Sequence, residues 1–170
     1  MTIDTKTYTL MKSIENPVLT TFSKLIDILT DPNYLLVILI GIAAYLYIVK
    51  KDKRKSIFLV ASTAITSISI LALKEIFQRP RPLNSIIEAT SFSFPSGHAT
   101  LIIFFLGILI YLFANKNLRK KSILIATPII LLVAFSRIYL QVHYLTDVLA
   151  GLVLGGLILA LTIYIDKKIN

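Results

Sequence analysis

His98 and His143 are the only two histidines in this chain of 170 residues. His143 stands four residues before Asp147, so a helix that begins near residue 144 places both on one side of its first turn. A carboxylate there can accept the proton of one imidazole nitrogen and leave the other nitrogen as a nucleophile or base. The simpler alternative is an interfacial histidine beside an aspartate that favours the positive end of a helix dipole. The pair alone leaves both interpretations open.

A second motif, Pro95-Ser96-Gly97-His98, stands where a loop becomes an apolar helix. Ser96 suits the N-cap, and Gly97 allows close approach to the backbone. A helix N-terminus offers unpaired amides and a positive dipole end, and both suit a phosphate group. His98, in the first turn, could then protonate a leaving oxygen. The alternative is an ordinary cap followed by an interfacial histidine.

Cations stand at the ends of apolar segments on either side of these motifs. Lys74 closes one apolar run, and Arg79 and Arg81 follow in an Arg-Pro-Arg-Pro sequence at 79–82. Alternating prolines keep the chain extended, and a guanidinium on a stiff arm can bind phosphate oxygens bidentately. Arg137, at the end of another apolar run, is a further candidate. Cations that snorkel to the membrane surface are the alternative.

The composition indicates a single integral-membrane domain over residues 1–170. Hydrophobic residues make up 56% of the chain and charged residues 16%, against about 25% in soluble domains. The net charge of +9 does not predict nucleic-acid binding, because the cations cluster between apolar runs instead of forming a face of a soluble fold. The absence of cysteine excludes disulfides, thiolate metal sites and cysteine nucleophiles.

Five apolar stretches predict an all-α, multi-pass membrane bundle over residues 34–165. Residues 1–33 form an N-terminal arm, in which apolar residues between 18 and 29 recur at helical spacing. This spacing predicts an amphipathic helix in the membrane interface. A sixth span is the alternative, although Lys24 and Asp27 interrupt the segment. The five predicted spans are Tyr34–Val49, Ser56–Leu73, Ala99–Ala114, Ser122–Ser136 and Leu145–Ile165.

In the last of these stretches Gly151 and Gly155 are four residues apart, with Gly156 adjacent. Small residues at this spacing are typical of close helix packing in membranes. We therefore expect this face to lie against another helix and not to bind substrate.

The distribution of cations predicts the orientation of the bundle. If the five spans alternate, eleven of the 18 Lys and Arg residues fall on one side, which the positive-inside rule makes cytoplasmic. All the candidate chemical residues then lie on the opposite, extracytoplasmic side. The eleven are Lys50, Lys51, Lys53, Arg54, Lys55, Lys116, Arg119, Lys120, Lys121, Lys167 and Lys168.

Taken in order, three motifs resemble those of the type 2 phosphatidic acid phosphatase family, the membrane lipid phosphatase branch of the vanadium haloperoxidase-like superfamily. The resemblance covers about residues 56–165 and includes the placement of the helices. The motifs are Lys74-x6-Arg81-Pro82, Pro95-Ser96-Gly97-His98 and Ser136-Arg137-x5-His143-x3-Asp147.

The resemblance implies a role for each matched residue. His143 would be the nucleophile that forms a phosphohistidine, Asp147 its orienting partner, and His98 the acid that protonates the leaving group. Arg79 lies outside the family motif and is expected to contact a headgroup. The phosphoryl oxygens would be held by Lys74, Arg81, Ser96, Gly97 and Arg137.

The implied protein is a metal-independent lipid phosphatase without a cofactor, because three cations already supply what a magnesium ion would. Its partners are membrane lipids and a lipid phosphate that enters from the bilayer, and no protein partner is implied. Candidate substrates are polyprenyl pyrophosphate such as undecaprenyl pyrophosphate, phosphatidylglycerol phosphate, phosphatidic acid and lipid A 1-phosphate. The expected location is the bacterial cytoplasmic membrane.

Two alternatives remain at this stage. A lipid-to-lipid phosphotransferase would use the same phosphohistidine and pass the group to a second lipid instead of water. A small transporter or a lipid-binding protein would use the cations as an anion pathway, but none of the candidate polar residues lies in the middle of a span, where such a path would need them.

Overall fold

The structure, a computed structural model, describes residues 2–169 as seven α-helices, with no strand among those residues. The predicted all-α class is therefore confirmed. Five helices, α3 to α7, correspond to the five predicted spans, and α1 has no counterpart among the predicted elements. The helices are α1 (Ile3–Ser13), α2 (Pro17–Leu29), α3 (Pro32–Ile48), α4 (Lys53–Phe77), α5 (Gly97–Phe113), α6 (Lys116–Tyr139) and α7 (Leu145–Ile169).

Four helical segments are long and apolar enough to cross a membrane, judged by length and composition. The helix α5 is also apolar, and its 17 residues correspond to a length of about 26 Å. The number of crossings remains a prediction, but the long apolar segments agree with a multi-pass membrane protein. The four segments are Pro17–Ile48, which runs through α2 and α3, Lys53–Phe77, Lys116–Tyr139 and Leu145–Ile169.

The helix α5 lies at the centre of the bundle, packed against α3, α4, α6 and α7. Its Phe104 and Ile108 are completely buried. The outer faces of the surrounding helices expose large apolar side chains instead, among them Leu131 and Leu157. An apolar exterior around an apolar core is expected where the surroundings are lipid, since no water is present there to form hydrogen bonds with polar groups.

Small residues bring α5 and α7 into backbone contact, as the sequence predicted. A Cβ added at Gly155 would lie 2.4 Å from the carbonyl oxygen of Thr100. One added at Gly151 would lie 2.7 Å from the carbonyl oxygen of Ser96. The two helices can therefore approach this closely only because these positions carry no side chain.

The N-terminal arm folds against the end of the bundle where α4 ends and α5 begins. The helix α1 contacts α6 and α7, and α2 packs against α6. Asn16 caps α2, and Asp31 caps α3. The apolar side chains of Val18 and Leu25 are exposed, whereas Asp27 of α2 contacts α6.

We predict that Gly155→Ala destabilises the protein, whereas Gly156→Ala does not. The new methyl group at position 155 has to displace the backbone of Thr100, which should cost about 1–3 kcal/mol. At position 156 the nearest atom to an added Cβ is 3.8 Å away, and alanine favours a helix over glycine. Thermal unfolding followed by circular dichroism in one detergent compares the two variants. Equal midpoints would contradict the close contact.

Candidate active site

His143 lies in the short connection between α6 and α7, two residues before α7 begins at Leu145. It is buried, and its Nε2 atom is 3.3 Å from the guanidinium of Arg81. Its Nδ1 atom faces Asp147 on the first turn of α7, at 3.8 Å from Oδ2. This distance exceeds that of a hydrogen bond, so the two groups are brought together but are not bonded. The Nδ1 atom is buried and has no hydrogen-bond partner among residues 2–169.

The carboxylate of Asp147 is fully buried and is held by other donors. Its Oδ2 atom accepts a hydrogen bond from the amide of Tyr144 at 2.9 Å. Its Oδ1 atom accepts one from the guanidinium of Arg79. The carboxylate is thus fixed on the Nδ1 side of the His143 ring, where a small rotation would complete the predicted pair.

Ser96 caps α5, so the predicted helix start is found at the predicted place. Its own amide donates to the carbonyl of Asp147 at 3.0 Å, which joins the start of α5 to the start of α7. Gly97 and His98 follow in the first turn, where amides have no partner within the helix. A Cβ at Gly97 would meet only an ordinary contact, 3.8 Å from the side chain of Ile70, so among the described residues no protein atom approaches this position closely.

The three predicted cations are held by oxygen atoms around the same space. Lys74, at the end of α4, donates to the carbonyl of Phe92. Arg81 donates to the carbonyls of Ser91, at 2.6 Å, and Val142, at 2.8 Å. These backbone acceptors fix the side chains and leave their positive charge uncompensated, which suits an anionic ligand.

Arg137 is the most buried of the three cations, with 1% of its side chain exposed. It donates to Asp27 of α2 and to the hydroxyl of Ser136, and its Nη1 atom is 3.3 Å from Nε2 of His98. Asp27 also lies 3.1 Å from that same nitrogen. The structure therefore adds a carboxylate to the site, from the helix that the sequence predicts to be amphipathic.

One cavity of about 360 Å³ collects these groups. Ser96 and Asp147 do not line it: both are fully buried behind its wall. The other six predicted site residues line it, together with acidic residues of the arm and of the loop before α5. The six are Lys74, Arg81, Gly97, His98, Arg137 and His143, and the acidic residues are Asp27, Asp31 and Glu88.

The surroundings of His143 keep its ring neutral. Burial lowers the pKa of His143, and the positive charges of Arg81 and Lys74 lower it further, to about 4, against the opposing effect of Asp147. A neutral imidazole has a free electron pair on one nitrogen, as a nucleophile requires.

Comparison with known proteins identifies the family of this chain. Residues 55–170 match the family model of the PAP2 superfamily. The chain belongs to the PAP2 superfamily. The matched region contains all three motifs, and α1, α2 and α3 precede it.

Two relatives of the PAP2 chain are similar in sequence. It is 39% identical to phosphatidylglycerophosphatase B of Bacillus subtilis over 105 residues, which are 58% of this chain and 51% of that protein. It is 32% identical to undecaprenyl-diphosphatase of Sulfolobus acidocaldarius over 135 residues, which are 75% of this chain and 63% of that protein. The matched segments thus span less than two thirds of either relative.

Two crystal structures share the fold of this PAP2 chain. The PAP2 type phosphatidylglycerolphosphate phosphatase from Bacillus subtilis superposes with a TM-score of 0.88 at 29% identity, over 98% of this chain and 86% of that one. Aquifex aeolicus LpxE superposes with a TM-score of 0.76 at 22% identity, over 96% of each chain. The second likeness concerns the fold alone.

Arg79 and Asp4 form a network that the sequence motifs do not contain. Arg79 donates to Asp4 at 2.7 Å, to Thr146 at 2.7 Å and to Asp147, and it stacks on Tyr144 at 4.1 Å. It lines a more open cavity of about 580 Å³ and not the one beside His143. The expected headgroup contact of Arg79 remains a prediction, but its described partners give it a role in holding Asp147.

We predict that His143 titrates far below an ordinary histidine. Nuclear magnetic resonance of protein labelled with ¹⁵N-histidine should give its pKa as about 4, with His98→Gln used for assignment. The unfolded chain binds this proton near pH 6.5 and the folded protein only near pH 4, so the free energy of unfolding should fall as the pH drops through that interval. A midpoint near 6.5 would mean that the ring is solvated.

We predict that Arg79→Gln destabilises the protein by about 1–3 kcal/mol, because it leaves the buried carboxylate of Asp147 without its cation. Arg54→Gln is the matched control: it removes an arginine whose side chain is 53% exposed, from an ion pair at the other end of the bundle, and should cost less than about 1 kcal/mol. Thermal unfolding of both variants tests the difference. A similar loss in each would show that Arg79 has no special role.

Proposed function

We propose that this PAP2 protein is a lipid phosphatase that hydrolyses a phosphomonoester or a pyrophosphate through a phosphohistidine on His143. The observation that carries the proposal is the single cavity in which His143, His98 and three cations meet. A phosphoryl group in transfer spreads negative charge over its equatorial oxygens. Fixed cations and helix amides stabilise that charge better than mobile water does.

In the proposed first step, Nε2 of neutral His143 attacks phosphorus, and the bond from phosphorus to the leaving oxygen breaks. His98 gives its proton to that oxygen. The His143 ring gains positive charge as the phosphorus–nitrogen bond forms, and the nearby Asp147 carboxylate stabilises it. In the second step water attacks phosphorus and gives a proton to His98, and the bond to His143 breaks.

We propose that this reaction requires no metal ion. Lys74, Arg81 and Arg137 supply three positive charges at the cavity, and Gly97 adds the start of a helix. Such a set can neutralise a phosphate without a divalent cation. The proposal predicts full activity in the presence of a chelator.

We propose that the cavity opens on the extracytoplasmic side of a bacterial cytoplasmic membrane. The connections 49–52 and 114–115 and the C-terminal end of α7 lie at the end of the bundle opposite the cavity, and the cation clusters surround them. By the positive-inside rule that end is cytoplasmic. A lipid phosphate would then enter sideways from the outer leaflet, with its tail in the bilayer.

The names of the relatives suggest the first lipids to test. One is called a phosphatidylglycerophosphatase and another an undecaprenyl-diphosphatase. We propose that the substrate is among phosphatidylglycerol phosphate, undecaprenyl pyrophosphate, phosphatidic acid and lipid A 1-phosphate. All four present the same terminal phosphate to the cations and differ in the leaving oxygen and the tail.

The test is phosphate release from these four lipids by detergent-purified protein with chelator present. We expect release from at least one lipid and a loss of at least about 1,000-fold in His143→Ala, because covalent catalysis then has no nucleophile. Lys74→Gln should lose much of the activity, whereas Lys120→Gln, on the exposed end of the bundle far from the cavity, should keep it.

Three outcomes would change the proposal. Activity that survives in His143→Ala would exclude the phosphohistidine. Activity lost with chelator and restored by magnesium would exclude the metal-independent reaction. Labelled phosphate that appears on an added acceptor lipid and not in water would identify a phosphotransferase.

A further inference from the structure

The carboxylate of Asp27 lies where a site for phosphate would be expected to exclude negative charge. Its Oδ1 atom accepts a hydrogen bond from Arg137 and is also 3.1 Å from Nε2 of His98. Exposed fractions are 24% for the Asp27 side chain and 14% for that of His98. Asp27 belongs to α2, outside the region matched by the family model and outside the three motifs.

A carboxylate in this place weakens the attraction of the cavity for phosphate, so its presence needs a compensating role. If Asp27 served only to pair with Arg137, its carboxylate would need to contact only the guanidinium. Instead one oxygen serves both the guanidinium and the imidazole ring. Asp27 and Arg137 are the charged groups within 3.3 Å of Nε2 of His98 in the described part of the chain. Other charged groups line the same cavity, namely Asp31, Lys74, Arg81 and Glu88.

The contact has a counterpart on the other side of the cavity. There Asp147 lies on one side of the His143 ring and Nε2 faces the cavity cations. Here Asp27 lies on one side of the His98 ring, at Nε2. The two neighbours of this nitrogen favour opposite tautomers: Arg137 can only donate to Nε2, whereas the ionised Asp27 carboxylate can only accept a proton from it. The carboxylate oxygen is the nearer of the two, at 3.1 Å against 3.3 Å, and Arg137 already donates to Asp27 and Ser136, so we assign the Nε2 proton to a hydrogen bond with Asp27.

We propose that Asp27 is a positioning residue for His98: it accepts the Nε2 proton, fixes the ring in one tautomer and leaves Nδ1 to exchange a proton with the leaving oxygen. This inference rests on the proposed phosphatase function and assigns the N-terminal arm a part in it. As the phosphorus–oxygen bond breaks, the Nδ1 proton of the imidazolium passes to the leaving oxygen, and the ring becomes neutral. The same nitrogen then takes a proton from the water that hydrolyses the phosphohistidine. The carboxylate stays ionised throughout.

The first test needs no substrate. In protein labelled with ¹⁵N-histidine, the ring nitrogen shifts of neutral His98 should show the tautomer protonated on Nε2. Asp27→Asn should convert this to a mixture of tautomers, because an amide can present a donor as well as an acceptor. An unchanged tautomer in Asp27→Asn would overturn the proposal, even if the protein hydrolysed no lipid at all.

The second test uses two substrates that differ in their need for an acid. Phosphatidic acid expels an alkoxide, which needs a proton, whereas farnesyl pyrophosphate expels a phosphate group, which needs one far less. Asp27→Asn should lower kcat/KM, which reports only the steps up to formation of the phosphohistidine, about 10- to 100-fold for phosphatidic acid and no more than about threefold for farnesyl pyrophosphate. His98→Gln should show the same preference, and adding Asp27→Asn to it should cost little more, since both act on one proton.

Asp31→Asn is the matched control, because it removes the same charge from the same cavity without touching His98. We expect this variant to change kcat/KM for both substrates by a similar factor. If Asp27→Asn lowered kcat/KM equally for both substrates, Asp27 would only support the fold. The same would hold if the loss in the double variant were the product of the losses in Asp27→Asn and His98→Gln. Higher activity in Asp27→Asn would mean that the carboxylate merely competes with phosphate. Each of these results would overturn the proposal.

Discussion

Burying three cations at one end of an apolar bundle is the constraint on which the rest of this structure depends. A cation taken out of water is costly unless oxygen atoms surround it. Lys74 and Arg81 meet that need with backbone carbonyls of the loop before α5 and of the connection before α7. Arg137 meets it with Asp27 from α2. The loop and the arm are therefore required by the charges, and their oxygen atoms fix the three cations in place.

The same constraint explains why the two histidines share one cavity. The amide of Ser96 donates to the carbonyl of Asp147, so the beginnings of α5 and α7 are joined by a backbone hydrogen bond. Each histidine lies within two residues of one of these helix starts. Burial and neighbouring cations then keep His143 neutral, and its Nε2 atom already faces the cations. The position and the protonation state of His143 therefore follow from one set of contacts.

Much of this arrangement could be predicted from the sequence, because the helices and their starts depend on residues that lie close together along the chain. Apolar runs mark five of the helices, Ser96 marks the start of α5, and the glycine spacing marks the close face of α7. The partners of Arg79 and Arg137 could not be predicted, because Asp4 and Asp27 are 75 and 110 residues away in sequence and share no periodicity with them. The hydropathy of α2 did not reveal that Asp27 pairs with a buried arginine and lines the cavity. Arg79, which donates to Oδ1 of Asp147, is likewise included in no spacing rule.

On the proposed function, the contact between α5 and α7 also limits how a lipid can reach His143. Where two backbones touch with no side chains between them, there is nothing flexible to swing aside, and separation would expose carbonyls to hydrocarbon. That seam has to stay shut. The start of α3 and residues 87–91 form another part of the cavity wall. On the proposed function, a lipid phosphate would therefore enter the cavity, and its products would leave, by a route other than the seam between α5 and α7.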